Sequence, residues 1–286
     1  EERSQSTYNK YITVYNHLTT FIKERYHRDD MAFRELTSDF IREFDFYLRY
    51  DLQSSHNTVW VYTMPVLALA ELAIKKGLIR DNPFQDYEIN MEETDRGYIL
   101  KEDVEKLMMC APPHPRYELV KDLFIFSCFT GLAYADIKKL TRNNIQSFFD
   151  GHQWIISRIK KSDIASNVRL MEILKRIIEK YLGSTRNEFI FPVPTNVTCN
   201  THIGKLIEKA KIITEQKVTF HTARHTFGTM FLTEGVPLES LSKMMGHKNI
   251  STTQIYAKIT SQKISKDMDL VAPKFKEIEE AFLQVI

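Results

Sequence analysis

Three short segments carry most of the chemistry this chain could perform: His221-Thr222-Ala223-Arg224-His225, then Gly246-His247-Lys248-Asn249, then Tyr256. One guanidinium, several imidazoles and one phenol form a set suited to attacking a phosphodiester. A phenol alone is a poor nucleophile, because a pKa near ~10 leaves about one molecule in a thousand ionised at neutral pH, roughly 4 kcal/mol for neighbours to supply. Arginine and imidazole can supply it by pairing with phosphate oxygens, stabilising transition-state charge and moving protons. His221 and Arg224, three residues apart, share one face near the start of a helix whose N–H groups also favour anions. His225 reads as a packed helix residue. His221 and His225 also have the i, i+4 spacing of zinc ligands, but Thr222 stands where such a motif needs glutamate. No metal site is expected.

These residues need a scaffold. Tyr8, Tyr11, Tyr15, Leu18 and Ile22 recur at steps of three and four and predict a first amphipathic helix. A second is capped at Thr37 or Ser38 and buries Phe40, Ile41, Phe44, Tyr47 and Leu48. A third starts after Ser54-Ser55, runs through Trp60 to Leu72 and closes at Lys75-Lys76-Gly77, with Pro65 expected to bend or interrupt it. The first domain, residues 1–90, is thus a helical bundle of at most four helices. Asp81-Asn82-Pro83 and the acidic stretch Glu88 to Asp95 read as the interdomain linker.

In the second domain, 91–286, helices are expected at Val104 to Met109, Leu119 to Phe129 and Asp136 to Leu140. Strands follow at Ile145 to Phe149, Trp154 to Ile159 and Val168 to Leu170, turning at Asp150-Gly151, before helices resume at Glu172. The fold class is mainly α with a small antiparallel β-sheet.

The 286 residues are 43% hydrophobic, enough for two cores. No run approaches a membrane span of about 20 apolar residues, and no signal pattern opens the chain. It begins at Glu1 rather than Met, which leaves room for an upstream domain. Cys110, Cys128 and Cys199 are scattered without CxxC spacing, which fits a reducing cytoplasm and argues against a disulfide framework or zinc knuckle. Residues 1–95 hold 11 Lys/Arg against 17 Asp/Glu, whereas 96–286 hold 28 against 20. Basic excess in the portion that carries the phosphate chemistry suits a polyanion. No Walker loop or GxGxxG is present, so nucleotide cofactors have no visible cradle.

HxxRH, a Leu/Met-rich helix ending in Gly-His, and tyrosine nine residues later resemble the tyrosine recombinase (phage integrase) family. The likeness extends through Thr130-Gly131-Leu132-Ala133-Tyr134-Ala135-Asp136-Ile137, similar to the family's first active-site box, and the lysine-bearing stretch Arg158 to Leu170. The resemblance implies a core-binding, SAM-like bundle followed by a catalytic domain, closing around double-stranded DNA. By that resemblance Tyr256 is the nucleophile and Arg224 binds the scissile phosphate. His221 and His247 share the site, Lys160 is the general acid, and Asp136 supports them by hydrogen bonding. Cleavage through a 3′-phosphotyrosyl bond needs neither metal nor ATP. Lys138, Lys139, Arg142, Lys161, Arg169 and Lys248 are candidates for DNA backbone contacts.

The family's first box has arginine where this chain has Ala133, an alteration that looks like integrases of Bacteroidetes mobile elements. Losing one preorganised donor commonly costs about 10²- to 10³-fold in rate, so a replacement is expected: Arg158, two residues before Lys160 on a strand, or Arg142. The family implies a homotetramer on DNA, a monomer without it, DNA-bending accessory proteins and a nucleoid location. The helical stripe Phe275, Ile278, Phe282 and Val285 is expected to dock on a neighbouring protomer. The rival reading is a catalytically impaired DNA-binding regulator, since Leu238 to Met245 and Ile250 to Lys258 could pass for a helix-turn-helix. A type IB topoisomerase is the nearest chemical neighbour, but the helical N-terminal bundle favours a recombinase.

Overall fold

Phe21 organises the first of two units, Glu1–Asp95 and Arg96–Ile286, in a computed structural model that describes residues 5–94, 96–159, 164–185, 187–257 and 261–283. Phe21 lies on α1 (Gln5–Tyr26), fully buried, with the rings of Phe40, Phe44 and Tyr47 centred 5.2–5.5 Å away. Those rings come from α2 (Ser38–Phe46) and the π turn Tyr47–Asp51 that continues it. Val59, Val66 and Ala70 of α3 (His56–Lys75) close the core.

The buried side of α1 is not the tyrosine stripe. Val14, Leu18, Phe21 and Ile22 face inward, while Tyr8 and Tyr15 are 59% and 64% exposed. A tyrosine ring with a solvated hydroxyl tolerates the surface, so periodicity in tyrosine marks a face less sharply than periodicity in phenylalanine. Pro65 does not interrupt α3, which runs through it as one helix. That helix alone among the described residues is long and apolar enough to cross a membrane, yet its Val59–Val66–Ala70 side fills this unit's core.

The stretch read as a linker is fastened to the first unit. Phe84 is buried there, His56 Nε2 bonds the Asn90 carbonyl at 2.7 Å, and the Asn57 amide bonds Glu92 and Thr94.

In the second unit α4 (Lys101–Met109) leads to α5 (Pro115–Thr130), whose residues Val120 to Cys128 are buried on every side. A helix buried on every side belongs at the centre of a core, and its few polar groups there are bonded, Lys121 to the Met108 and Cys110 carbonyls and Asp122 to Lys180 and Tyr181. After α6 (Tyr134–Ile137) and the 3₁₀ turn Arg142–Asn144 come β1 (Ile145–Ser147), β2 (Gln153–Ile159) and β3 (Ile164–Arg169), antiparallel in that order. Ile155 pairs with Val168 and Arg158 with Ala165. β3 begins earlier than expected because Ala165, Ser166 and Asn167 lack strand-marking side chains and are held by pairing to β2.

Then follow α7 (Glu172–Tyr181), α8 (Asn196–Lys209), α9 (Phe220–Thr233), α10 (Leu238–Met244) and α11 (Ser251–Gln254) with the 3₁₀ turn Ile255–Ala257. The last described elements are α12 (Ser261–Val271) and α13 (Lys276–Leu283). α4, α7, α8 and α9 pack around α5.

Candidate active site

Thr219 caps α9, its N–H bonded to Thr222 Oγ1 at 3.0 Å, and Asn200 Oδ1 takes the N–H of Phe220 at 2.8 Å. This fixes the first turn and aims Arg224 inward. Arg224 is only 8% exposed. Its Nη1 donates to the Gly131 carbonyl at 2.5 Å and its Nη2 to the Met245 carbonyl at 2.6 Å. One guanidinium therefore joins the Thr130-Gly131-Leu132 box to the turn before His247.

Gly131 ends α5 in the left-handed conformation, φ +68°, and a Cβ there would lie 2.6 Å from the Phe227 ring. Only glycine meets both demands. Ser127 Oγ donates to the Leu132 carbonyl at 2.8 Å and holds the loop shut. On the other side Ser166 Oγ donates to the Met244 carbonyl at 2.5 Å, which fastens β3 to α10.

Arg224 carries a buried charge. Burial pushes its pKa down, while Tyr256 and the Asp136 carboxylate pull it back up. Its two direct hydrogen-bond acceptors are neutral carbonyls and the Asp136 carboxylate acts on it through space, so an anion entering here would meet a preorganised cation.

Tyr256 is 6% exposed, and its hydroxyl lies near enough to the Arg224 guanidinium for each to act on the other's pKa. Burial raises its pKa, and the Arg224 and Arg96 guanidiniums oppose that rise. The His225 ring meets Tyr256 edge-on at 5.2 Å, and His247 lies parallel at 6.4 Å. Its own cluster is Phe227, Leu241 and Met245. His247 has its pKa lowered to about 4 by burial and then by Arg224, so it is neutral at pH 7. Its Nδ1 bonds Thr253 Oγ1 at 2.8 Å. Thr253 is fully buried one turn before Tyr256, so this bond ties the tyrosine segment to the histidine.

The structure thus gathers Arg224, His247 and Tyr256. His221 is exposed at the rim, its ring 4.8 Å from that of His225. His225, read as a packing residue, also touches Tyr256, so it belongs to the site's wall as well. Lys160, Lys161 and the side chain of Arg158 lie outside the described residues. Arg142 lines a groove with residues of the 182–190 segment, a groove whose lining holds none of the catalytic candidates. Lys138, Lys139, Arg142, Arg169 and Lys248 are exposed, and Arg169 acts on the Asp150 carboxylate at the β1–β2 turn.

Several contributors carry no sequence signal. Two are backbone carbonyls, at Gly131 and Met245. Thr253 and Gly228 are small residues without chemistry of their own. Arg96 is remote in sequence; its spacing from Tyr256 could not have announced it.

The two units correspond to two family models, the phage integrase SAM-like domain over residues 1–89 and the phage integrase family over residues 98–263. The chain belongs to the phage integrase family. Tyrosine recombinase XerC of Oceanobacillus iheyensis is 27% identical over 207 residues, covering 65% of each protein. Tyrosine recombinase XerD of Listeria monocytogenes is 30% identical over 177 residues, covering 57% of this chain and 58% of the relative. The chain therefore spans less than two thirds of the length of these relatives. The Tn1549 transposon integrase, solved in complex with transposon right end DNA, shares the fold with a TM-score of 0.71 at 17% identity over 95% of both chains.

Proposed function

We propose that this chain is a site-specific DNA recombinase that cuts and reseals DNA through Tyr256. The observation that carries this reading is the buried Arg224 guanidinium, tied to two carbonyls and lying beside the buried phenol of Tyr256. Nucleophile and phosphate binder are already in contact.

In the cut, Tyr256 Oη gives up its proton to a site imidazole and attacks the phosphorus, the bond to the 5′-oxygen breaks, and Lys160 protonates the leaving oxygen. The phosphodiester energy is kept in the 3′-phosphotyrosyl bond, so a free 5′-hydroxyl reverses the step without nucleotide or metal. Arg224 holds the non-bridging oxygens in its fork. With Nδ1 of His247 committed to Thr253, its bond to phosphate goes through Nε2. His221 at the rim shares the proton work. Arg158 replaces the group absent at Ala133. Exposed Lys138, Lys139, Arg142, Arg169 and Lys248, with Lys161, contact the duplex backbone.

Integration or excision of a mobile element by a tetramer on DNA, with bending proteins assisting, is the setting this reading favours. Its supports are the altered first box and the exposed Phe275, Ile278 and Phe282 on the C-terminal segment, 50–65% accessible and free to seat on another protomer. A binder of the same fold without chemistry is the second reading, favoured by Ala133.

One experiment separates the two. The protein is mixed with a nicked, random-sequence duplex library, denatured in detergent, and the DNA that stays attached is sequenced. An enzyme retains a defined sequence, and Tyr256→Phe retains none. If parent and variant retain equal amounts, the recombinase reading fails.

A further inference from the structure

Arg224 and Gly228 lie four residues apart on α9, one turn along the same face. Arg224 meets the hydroxyl end of Tyr256, and Gly228 meets the other end of the ring. A Cβ built on Gly228 would lie 2.7 Å from Tyr256 Cγ and 2.8 Å from both Cδ atoms. Equal approach to the two Cδ atoms means that the ring lies with its inner half flat on the helix backbone. Ordinary carbon contact needs about 3.4 Å or more, so any side chain here must push the ring outward by more than half an ångström.

The φ of Gly228 is that of an ordinary helix, so the backbone does not require glycine. Helix propensity opposes it, since glycine in a helix interior is worse than alanine. The missing Cβ is explained by the ring above it.

We infer that Gly228 is a positioning residue for the nucleophile: it is the floor of a slot, walled by His225 and His247, that lays Tyr256 along α9 with its hydroxyl on Arg224. The word nucleophile rests on the proposed recombinase reading; the slot itself does not. A misplacement of about 1 Å can cost on the order of 10²-fold in rate, so a shift of half that size has kinetic weight. Direct contact to DNA is not involved, because the buried glycine lies beneath the ring.

The test uses the full chain and two readouts. First, thermal unfolding is measured for the parent, Gly228→Ala, Tyr256→Ala and the double variant. Gly228→Ala should lower the melting temperature in the parent background and leave it equal or higher once the ring is gone, when only helix propensity remains. An equal change in both backgrounds overturns the slot. If Gly228→Ala does not fold, a folded double variant supports the slot and an unfolded one overturns it.

Second, the rate of detergent-stable attachment to the nicked random-sequence library is measured at saturating DNA. It should fall at least about tenfold in Gly228→Ala, with retention of the same DNA on a non-denaturing filter unchanged. Attachment at the parent rate overturns the positioning role. Absence of attachment by the parent itself sinks the recombinase reading instead, and the melting comparison still decides the slot.

Discussion

Replacing Arg224 by lysine keeps the charge and removes the fork, which makes it a clean perturbation of this site. The burial cost of a cation is common to both proteins, so it largely cancels. The guanidinium donates to two carbonyls on separate segments, Gly131 and Met245, and lies beside the Tyr256 hydroxyl. A single ammonium on a flexible stem can reach one of those carbonyls, not both. One charge-assisted hydrogen bond is lost and one buried carbonyl is left bare, worth about 1.5–3 kcal/mol. For a unit the size of Arg96–Ile286, ~2–4 °C per kcal/mol converts this to a melting-point drop of about 3–12 °C. Cleavage should suffer more, about 10²- to 10³-fold, because the two-oxygen grip on phosphate goes with the fork. Calorimetry near pH 6.5, where lysine stays protonated, and detergent-stable DNA attachment provide the two numbers. A melting point within about a degree of the parent together with unimpaired attachment would refute the dual role assigned to this guanidinium.

Further expectations follow from the same geometry. His247 is held at about 4, below its unfolded value near ~6.5, so above that value both states are neutral and the site adds no pH dependence. As pH falls from ~6.5 towards 4 the unfolded chain takes the proton first, and stability drops by about 1–2 kcal/mol after allowance for partial exposure; denaturant melts of His247→Gln should lack this loss. Arg96 lowers the pKa of Tyr256, so Arg96→Ala should shift the alkaline limb of the attachment rate upward in pH, an effect that fades in high salt because Arg96 is exposed. Arg158→Ala should slow attachment by about 10²-fold if this residue stands in for the group missing at Ala133, and a rate equal to the parent's removes it from that role. Deleting residues 274–286 takes away the exposed Phe275, Ile278 and Phe282, so folding and DNA retention should persist while multimer formation on DNA, read by native gel, is lost. Retained multimers would exclude the segment as the docking element.

The order of chemical groups was written in the sequence because each needs a particular side chain. Arg224, His247 and Tyr256, which the fold brings together, are singled out that way; the sheet follows from strand patterns and the Asp150-Gly151 turn, and α9 and α10 from the motifs they carry. What the sequence hid is of a different kind. The carbonyls of Gly131 and Met245 belong to every residue type, so their pairing with Arg224 becomes visible only when three distant segments meet. Gly228 reads in sequence as a helix flaw, and its reason is a ring 28 positions away. On α1 the apolar spacing marks the core side correctly at Leu18 and Ile22 but not at Tyr8 and Tyr15, whose rings mimic apolar spacing while remaining in water. The acidic stretch before Arg96 looked loose because its ties run through the His56 and Asn57 side chains. Local pattern specifies elements, and the site depends on contacts between them.

The most direct measurement is to digest the attached DNA with nuclease and locate the remaining nucleotide by peptide mass spectrometry. Attachment through Tyr256, with the sugar joined at its 3′ end, is the expected result. A nucleotide on any other side chain, or joined through a 5′-phosphate, would contradict the chemistry assigned to this site.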